Sequence, residues 1–218
     1  MFVGHFAAAL GAKRAAPRVP LSLLVAAAIG LDLIWPILLL TGAESVRIDP
    51  GNTAFTPLAF DSYPWSHSLL MSLVWGGVAG AIAFPRLRSV GAAALVGAVV
   101  VSHWVLDLVT HRPDLPLWPG GPKYGLGLWN SIPATFIVEG LIFAAAVYAY
   151  RTAFPPRDRT GHWAFVALIA FMTAIWVSSP VSPPPPSVQA IAFAGFAMWL
   201  FPIWAGWIER HRRTPAER

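Results

Sequence analysis

The stretch SHWVLDLVTH, residues 102–111, sets His103, Asp107 and His111 four residues apart inside a long apolar run. Residues four apart share a helix face, so His103 and Asp107 can reach one ion together. An imidazole nitrogen and a carboxylate oxygen at that spacing suit Zn²⁺, Mn²⁺ or Fe²⁺. His111 stands a further turn on, about 12 Å of rise from His103. It reaches the same ion only if the helix end before Pro113 unwinds; otherwise it serves a second ion or the rim.

Three acidic residues lie well within apolar runs: Asp32, Asp107 and Glu139. No Lys or Arg in those runs can pair with them. A carboxylate at the bilayer centre costs roughly 2.5–3.5 kcal/mol even on the lenient insertion scale. Each must be protonated, solvated by a cavity, or neutralised by a bound cation. His67 opens a second apolar run, and His5 lies in a short apolar segment, residues 1–12.

The elements that must position these groups follow from composition. The 218-residue chain is 56% hydrophobic and only 11% charged, against roughly 25% charged in soluble domains. It reads as a membrane protein. The net charge of +5 does not point to nucleic acid, because the basic residues sit in short segments between apolar runs. With no Cys, disulfides, thiolate catalysis and Cys-ligated zinc are excluded. The run 19–40 is longer than a signal-peptide core and carries Asp32, so it reads as an anchor.

A spanning helix needs roughly 20 apolar residues. Six candidates emerge, near 20–41, 66–84, 89–110, 133–150, 163–180 and 189–208. Lys and Arg concentrate at 13–18, 85–88, 151–159 and in the tail, which carries Arg210, Arg212, Arg213 and Arg218. The alternate loops, 42–65, 112–132 and 181–188, are poorer in them. The expected fold is an all-α polytopic bundle of six transmembrane helices plus a short N-terminal half-helix, with both termini cytoplasmic. One membrane-embedded domain covers 1–210, and 211–218 is a basic tail. Gly76 and Gly80 form a small-xxx-small spacing that favours close helix packing.

At about 1.5 Å of rise per residue, Asp32, His103 and Glu139 converge on the outer half of the membrane, with His67 slightly higher. His5 would approach from below if residues 1–12 re-enter the membrane. That requires the segment to be buried in protein or to line a cavity; a surface-lying amphipathic helix is the alternative.

GHFAAAL, the Asp of the first long run, PWSHSLL and SHWVLDLVTHRPDLP together resemble the bacterial membrane-bound metal-dependent hydrolases, the YdjM/YbcI-like inner-membrane proteins. The resemblance covers about residues 1–115. It implies a bacterial inner-membrane location and a metal site drawing on His5, Asp32, His67 with Ser68, and His103 with Asp107. The family's second-run motif often reads His-Arg-Gly-x-Thr-His-Ser; here Tyr63-Pro64-Trp65-Ser66-His67-Ser68 stands instead, without the earlier histidine.

The leading expectation is a membrane metal-dependent hydrolase. His67, His103 and Asp107 hold a divalent metal, zinc first with manganese or iron as alternatives, and His5 joins them. Glu139 is the candidate general base. Asp32 is a second candidate catalytic carboxylate, or else supports the metal. Arg112, Lys123 and His111 form a rim able to bind a phosphate head group. The expected partners are the lipid bilayer and a lipid or phosphoester substrate, with no nucleic acid. The rival is a cation or proton transporter using the same acids and histidines as a relay. The short N-terminal half-helix favours that rival, and the absence of an internal repeat speaks against it.

Overall fold

The computed structural model describes residues 1–214; Arg218 of the basic tail lies outside the described residues. Helices α5 (Leu69–Leu87), α6 (Val90–Thr110), α7 (Ile132–Ala153) and α8 (Arg159–Ser178) are each long and apolar enough to cross a membrane, as is the pair α9 (Val188–Ala197) and α10 (Leu200–Arg210) taken as one span. The sixth crossing is broken: α2 (Leu21–Ala28) and α3 (Gly30–Leu40) meet at Ile29 with a 50° bend. Six spans therefore stand as the hydropathy expects, and the protein is a polytopic α-helical bundle.

Several of these helices start on a capping side chain. The hydroxyls of Ser68, Ser89, Ser131 and Ser187, and the carboxylate of Asp158, each accept from a backbone N–H of the first turn. Such caps satisfy donors that lipid cannot. On α5, Gly76 and Gly80 do the packing their spacing suggests. A Cβ at Gly76 would come within 2.8 Å of the Gly97 carbonyl oxygen, and one at Gly80 within 2.9 Å of that of Ala93. The α5 and α6 backbones are therefore in direct contact.

The N-terminal segment is a buried helix, α1 (Phe2–Ala15), packed against α7, α2 and α6. Between Phe2 and Ala12 it is apolar but for buried His5, so it presents no polar face suited to a bilayer surface. Its N-terminal end rises into the bundle and its other end reaches the basic segment 13–18. Lys13 is 2% exposed there. Its ammonium donates to the carbonyls of Pro17 (2.7 Å) and Val19 (2.8 Å) and pairs with Glu209 on α10. Glu209 also accepts from the Leu21 N–H at 2.9 Å. Beside this pair, buried Arg212 donates to the Gly161 carbonyl at 2.9 Å and lies over the Phe165 ring. The segments at 13–18, 154–161 and 209–213 thus gather at one end of the bundle, the cytoplasmic end by their charge.

At the other end the long loops fold. β1 (Ser45–Ile48) and β2 (Leu58–Ser62) form an antiparallel hairpin, followed by the single turn α4 (Pro64–His67). β3 (Leu115–Pro116) pairs with β4 (Lys123–Tyr124). These strands lie in segments where the sequence pattern signals only polar, turn-rich loop.

Candidate metal centre

Asp107 projects from the last turn of α6 into the bundle, 2% exposed. Four imidazoles surround it. His5 Nε2 lies 3.1 Å from Oδ1, and His103 Nε2 lies 3.2 Å from Oδ2. Nε2 of His67 and of His111 stand 3.9 and 4.0 Å from the same Oδ2. Asp32 joins from α3, its Oδ1 3.4 Å from His67 Nε2 and 3.7 Å from His103 Nε2. Two triads, His5–His103–Asp107 and Asp32–His67–His103, each bring their ligand atoms within 4.8 Å of one another. The group is buried and can hold a metal ion.

The local structure explains how these side chains converge. The break at Ile29 turns the Ala28 carbonyl inward, where it accepts from His103 Nδ1 at 2.8 Å. The same break starts a new helix whose first turn carries Asp32, a position favourable for an anion. α4 presents His67 because Glu44, 3% exposed, binds the N–H groups of Trp65 and Ser66, both at 2.8 Å. His111 ends α6 with an extended backbone, ψ 148°. Its N–H still bonds the Asp107 carbonyl at 2.8 Å, as in the helix, so its ring lies on the Asp107 face, and the extended ψ turns only the chain that follows.

Three of the four rings are oriented by a partner on Nδ1. His103 donates to Ala28, as a carbonyl can only accept. His67 Nδ1 donates to Ser66 Oγ at 2.6 Å, and that hydroxyl donates on to Glu44 Oε2 at 2.6 Å. His111 Nδ1 donates to Asp114 Oδ1 at 2.9 Å, an oxygen that also accepts from the Tyr63 hydroxyl at 2.8 Å. In the neutral ring each Nε2 then carries a lone pair turned towards the carboxylates. Histidine ligands of metals are held in this way. Among the described residues Nε2 of His103 makes no hydrogen bond, and a buried unpaired polar atom is costly. The donor set fits a divalent metal.

Around Asp114 the electrostatics are clear. Burial opposes its ionisation, but hydrogen bonds from His111, Tyr63 and Arg112 outweigh that and hold its pKa below the usual carboxylate value. Burial first, and then the Asp114 charge, push the Tyr63 hydroxyl up, so it remains a donor.

The other sequence-selected residues lie as follows. Glu139 is fully buried on α7, its carboxylate oxygens without a hydrogen-bond partner. It faces the Trp129 indole and the start of α1 at Phe2, outside the cavity wall. Arg112 stands on the outer loop, held by Asp114 at 3.3 Å, and Lys123 donates to the Asp61 carbonyl at 3.0 Å. Neither lines the cavity. Asp114, also on that loop, is 6% exposed. Glu44, Ser66, Tyr63 and Asp114 are the participants that the spacing of residues did not reveal. The Met1 amino group also pairs with Asp107, a cation that a count of Lys and Arg omits.

A cavity of about 600 Å³ opens beside the cluster. His5, Asp32, His67, Asp107 and His111 form its polar end, and α8, α9 and α10 supply an apolar wall. Asp32 is the most open of the cluster carboxylates, its side chain 26% exposed. Above the cluster, Phe60 and Trp129 cover the His111 ring at centroid distances of 4.8 and 4.5 Å. Gly127, at φ +72°, makes the left-handed turn that sets Trp129 there.

Fold and site together define a polytopic α-helical membrane protein with a buried His/Asp cluster between its spans. Within that class the family is shown: the model for the YdjM inner membrane protein family matches residues 1–181, and the chain belongs to that family. It is accordingly a multi-pass inner-membrane protein. No curated protein and no solved structure matches the chain.

Proposed function

We propose that this protein is a metal-dependent hydrolase acting within the outer half of the membrane, on a phosphoester or related lipid-linked substrate. The observation that carries the reading is the shared orientation of His67, His103 and His111. Each has Nδ1 engaged and Nε2 turned on Asp107, within 3.2–4.0 Å of Oδ2. His67, His103, Asp107 and His5 are the ligand set, and zinc suits these nitrogen and oxygen donors ahead of manganese or iron. His103 belongs to both triads yet has only Nε2 free, so the cluster holds one ion rather than two. Bound there, a divalent metal supplies Lewis acidity and makes water more acidic.

The chain's own groups do the rest. Asp32, at the cavity end, accepts the proton of the attacking water and returns it to the leaving oxygen. Its place in the first turn of α3 favours the carboxylate form that accepts. Phe60 and Trp129 exclude outer water from the cluster. Glu139, the other carboxylate that the sequence offers as a base, lies behind the start of α1 and outside the cavity, so it does not share in this step.

Metal content of detergent-purified protein tests the reading. Wild type should carry about one transition-metal ion per chain, and His103→Ala and Asp107→Ala should lose it. A wild type free of such metal removes the hydrolase. A second reading, a cation or proton relay, draws on the broken helix at Ile29 with Asp32 beside it, since interrupted spans mark transport sites. Ion flux in proteoliposomes without phosphoester turnover would decide for it.

A further inference from the structure

The cavity has an unusual pair of boundaries. Its polar end is the His/Asp cluster, closed towards the outer loops by Phe60, Tyr63 and Trp129. Its opposite wall is apolar, built by Phe171 and Ile175 of α8, Ile191 of α9, and Leu200 and Phe201 of α10. Phe171 and Leu200 line the cavity yet are 48% and 63% exposed, at positions within the spans. That surface faces hydrocarbon. The packing explains why a gap persists: α9 leans on α3 and α10 on α2 and α8, leaving α8 and α9 without a shared seam. The chemistry-bearing residues all fall within the family match at 1–181, while α9 and α10 follow it.

We infer that the cavity admits a membrane lipid sideways, through the α8–α9 gap, seating one acyl chain along α8–α10 with its head group at Asp32, His67 and Asp107. The seat itself stands on the cavity; only the head-group contact rests on the metal-centre reading. Moving a chain from bilayer to protein gains little from apolar burial, because lipid tails are as apolar as leucine. Selection therefore comes from the shape of the wall and from the head group. A substrate soluble in water meets the aromatic cover instead. The volume, about 600 Å³, lies within the usual range for small-molecule sites.

The test is photocrosslinking in vesicles of a phospholipid carrying a diazirine near the middle of one acyl chain. Peptide mapping should place the crosslinks on Phe171, Ile191 and Met198 above the level on the bilayer-facing residue Ile82. Ala194→Trp and Ala197→Trp, at exposed cavity-lining positions, should cut that labelling at least fivefold, while Ile82→Trp leaves it unchanged. Metal content should be untouched in all three. Labelling that is uniform around the bundle, or unchanged in both alanine variants, overturns the seat. Loss of metal in Asp107→Ala with chain labelling intact leaves the seat standing; metal-free wild type with labelling intact defeats the hydrolase alone.

Discussion

Replacing Ser66 by alanine removes one hydroxyl and tests the centre without touching a ligand. That hydroxyl lies 2.6 Å from His67 Nδ1 and 2.6 Å from Glu44 Oε2, and Ser66 is fully buried. Its loss leaves Nδ1 buried without an acceptor, which costs about 1–3 kcal/mol, and frees the ring to turn. Loss of such an outer partner weakens metal binding about 10–100-fold, or roughly 1.4–2.7 kcal/mol. The two estimates agree. Glu44 still holds the N–H groups of Trp65 and Ser66, so α4 itself should persist. The assay is a chelator competition on purified protein, with thermal unfolding recorded on the metal-free form. Ser102→Ala is the control, since that hydroxyl bonds only the Val99 carbonyl of its own helix, at 2.7 Å. Wild-type affinity in Ser66→Ala, or equal weakening in Ser102→Ala, would refute the idea that the Glu44–Ser66–His67 chain orients a ligand.

Two further outcomes follow from the loops and the packing. Asp114 has a folded pKa below its ordinary value near 3.8, so it stabilises the folded loop fully above that pH, and the contribution fades as pH falls through the lower folded value. Asp114→Asn should flatten that acid-side loss, read as wild-type-minus-variant hydrogen exchange of residues 111–130 between neutral pH and pH about 3; equal slopes would contradict it. On α5, Gly76→Val must displace the Gly97 backbone 2.8 Å away, whereas Gly77 has nothing within 4 Å. The valine should destabilise by about 1–3 kcal/mol, with Gly77→Ala near neutral, both measured by thermal unfolding.

Much of this was readable in the chain. Spans declare themselves because lipid demands some 20 apolar residues for each crossing, and the cost of an acid in lipid singles out Asp32, Asp107 and Glu139. The helical period sets His103 beside Asp107. The rest is set by contacts distant in sequence. Glu44 acts on α4 from 22 residues before Ser66, across a hairpin that no period announces. The chain turns away just after His111, where the helix has ended, and boundaries are the weakest part of any periodic signal. The break at Ile29 had only Gly30 and Pro36 as signs, inside an otherwise uniform apolar run. Asp114 looks like any loop acid until Tyr63 and His111 close on it.

The pairing of Lys13 with Glu209 has a consequence for how the molecule is made. His5 rides on the same helix as Lys13, eight residues or about 12 Å away along its axis. The height of α1 is therefore fixed in part by a carboxylate near the end of α10, which also binds the start of α2. Synthesis runs from the N-terminus, so the first helix leaves the ribosome long before its anchor exists. Until α10 has inserted, one of the ties that hold His5 level with Asp107 is missing. A protein truncated before residue 209 should therefore reach the membrane with the same site residues but with α1 less firmly held at its cytoplasmic end.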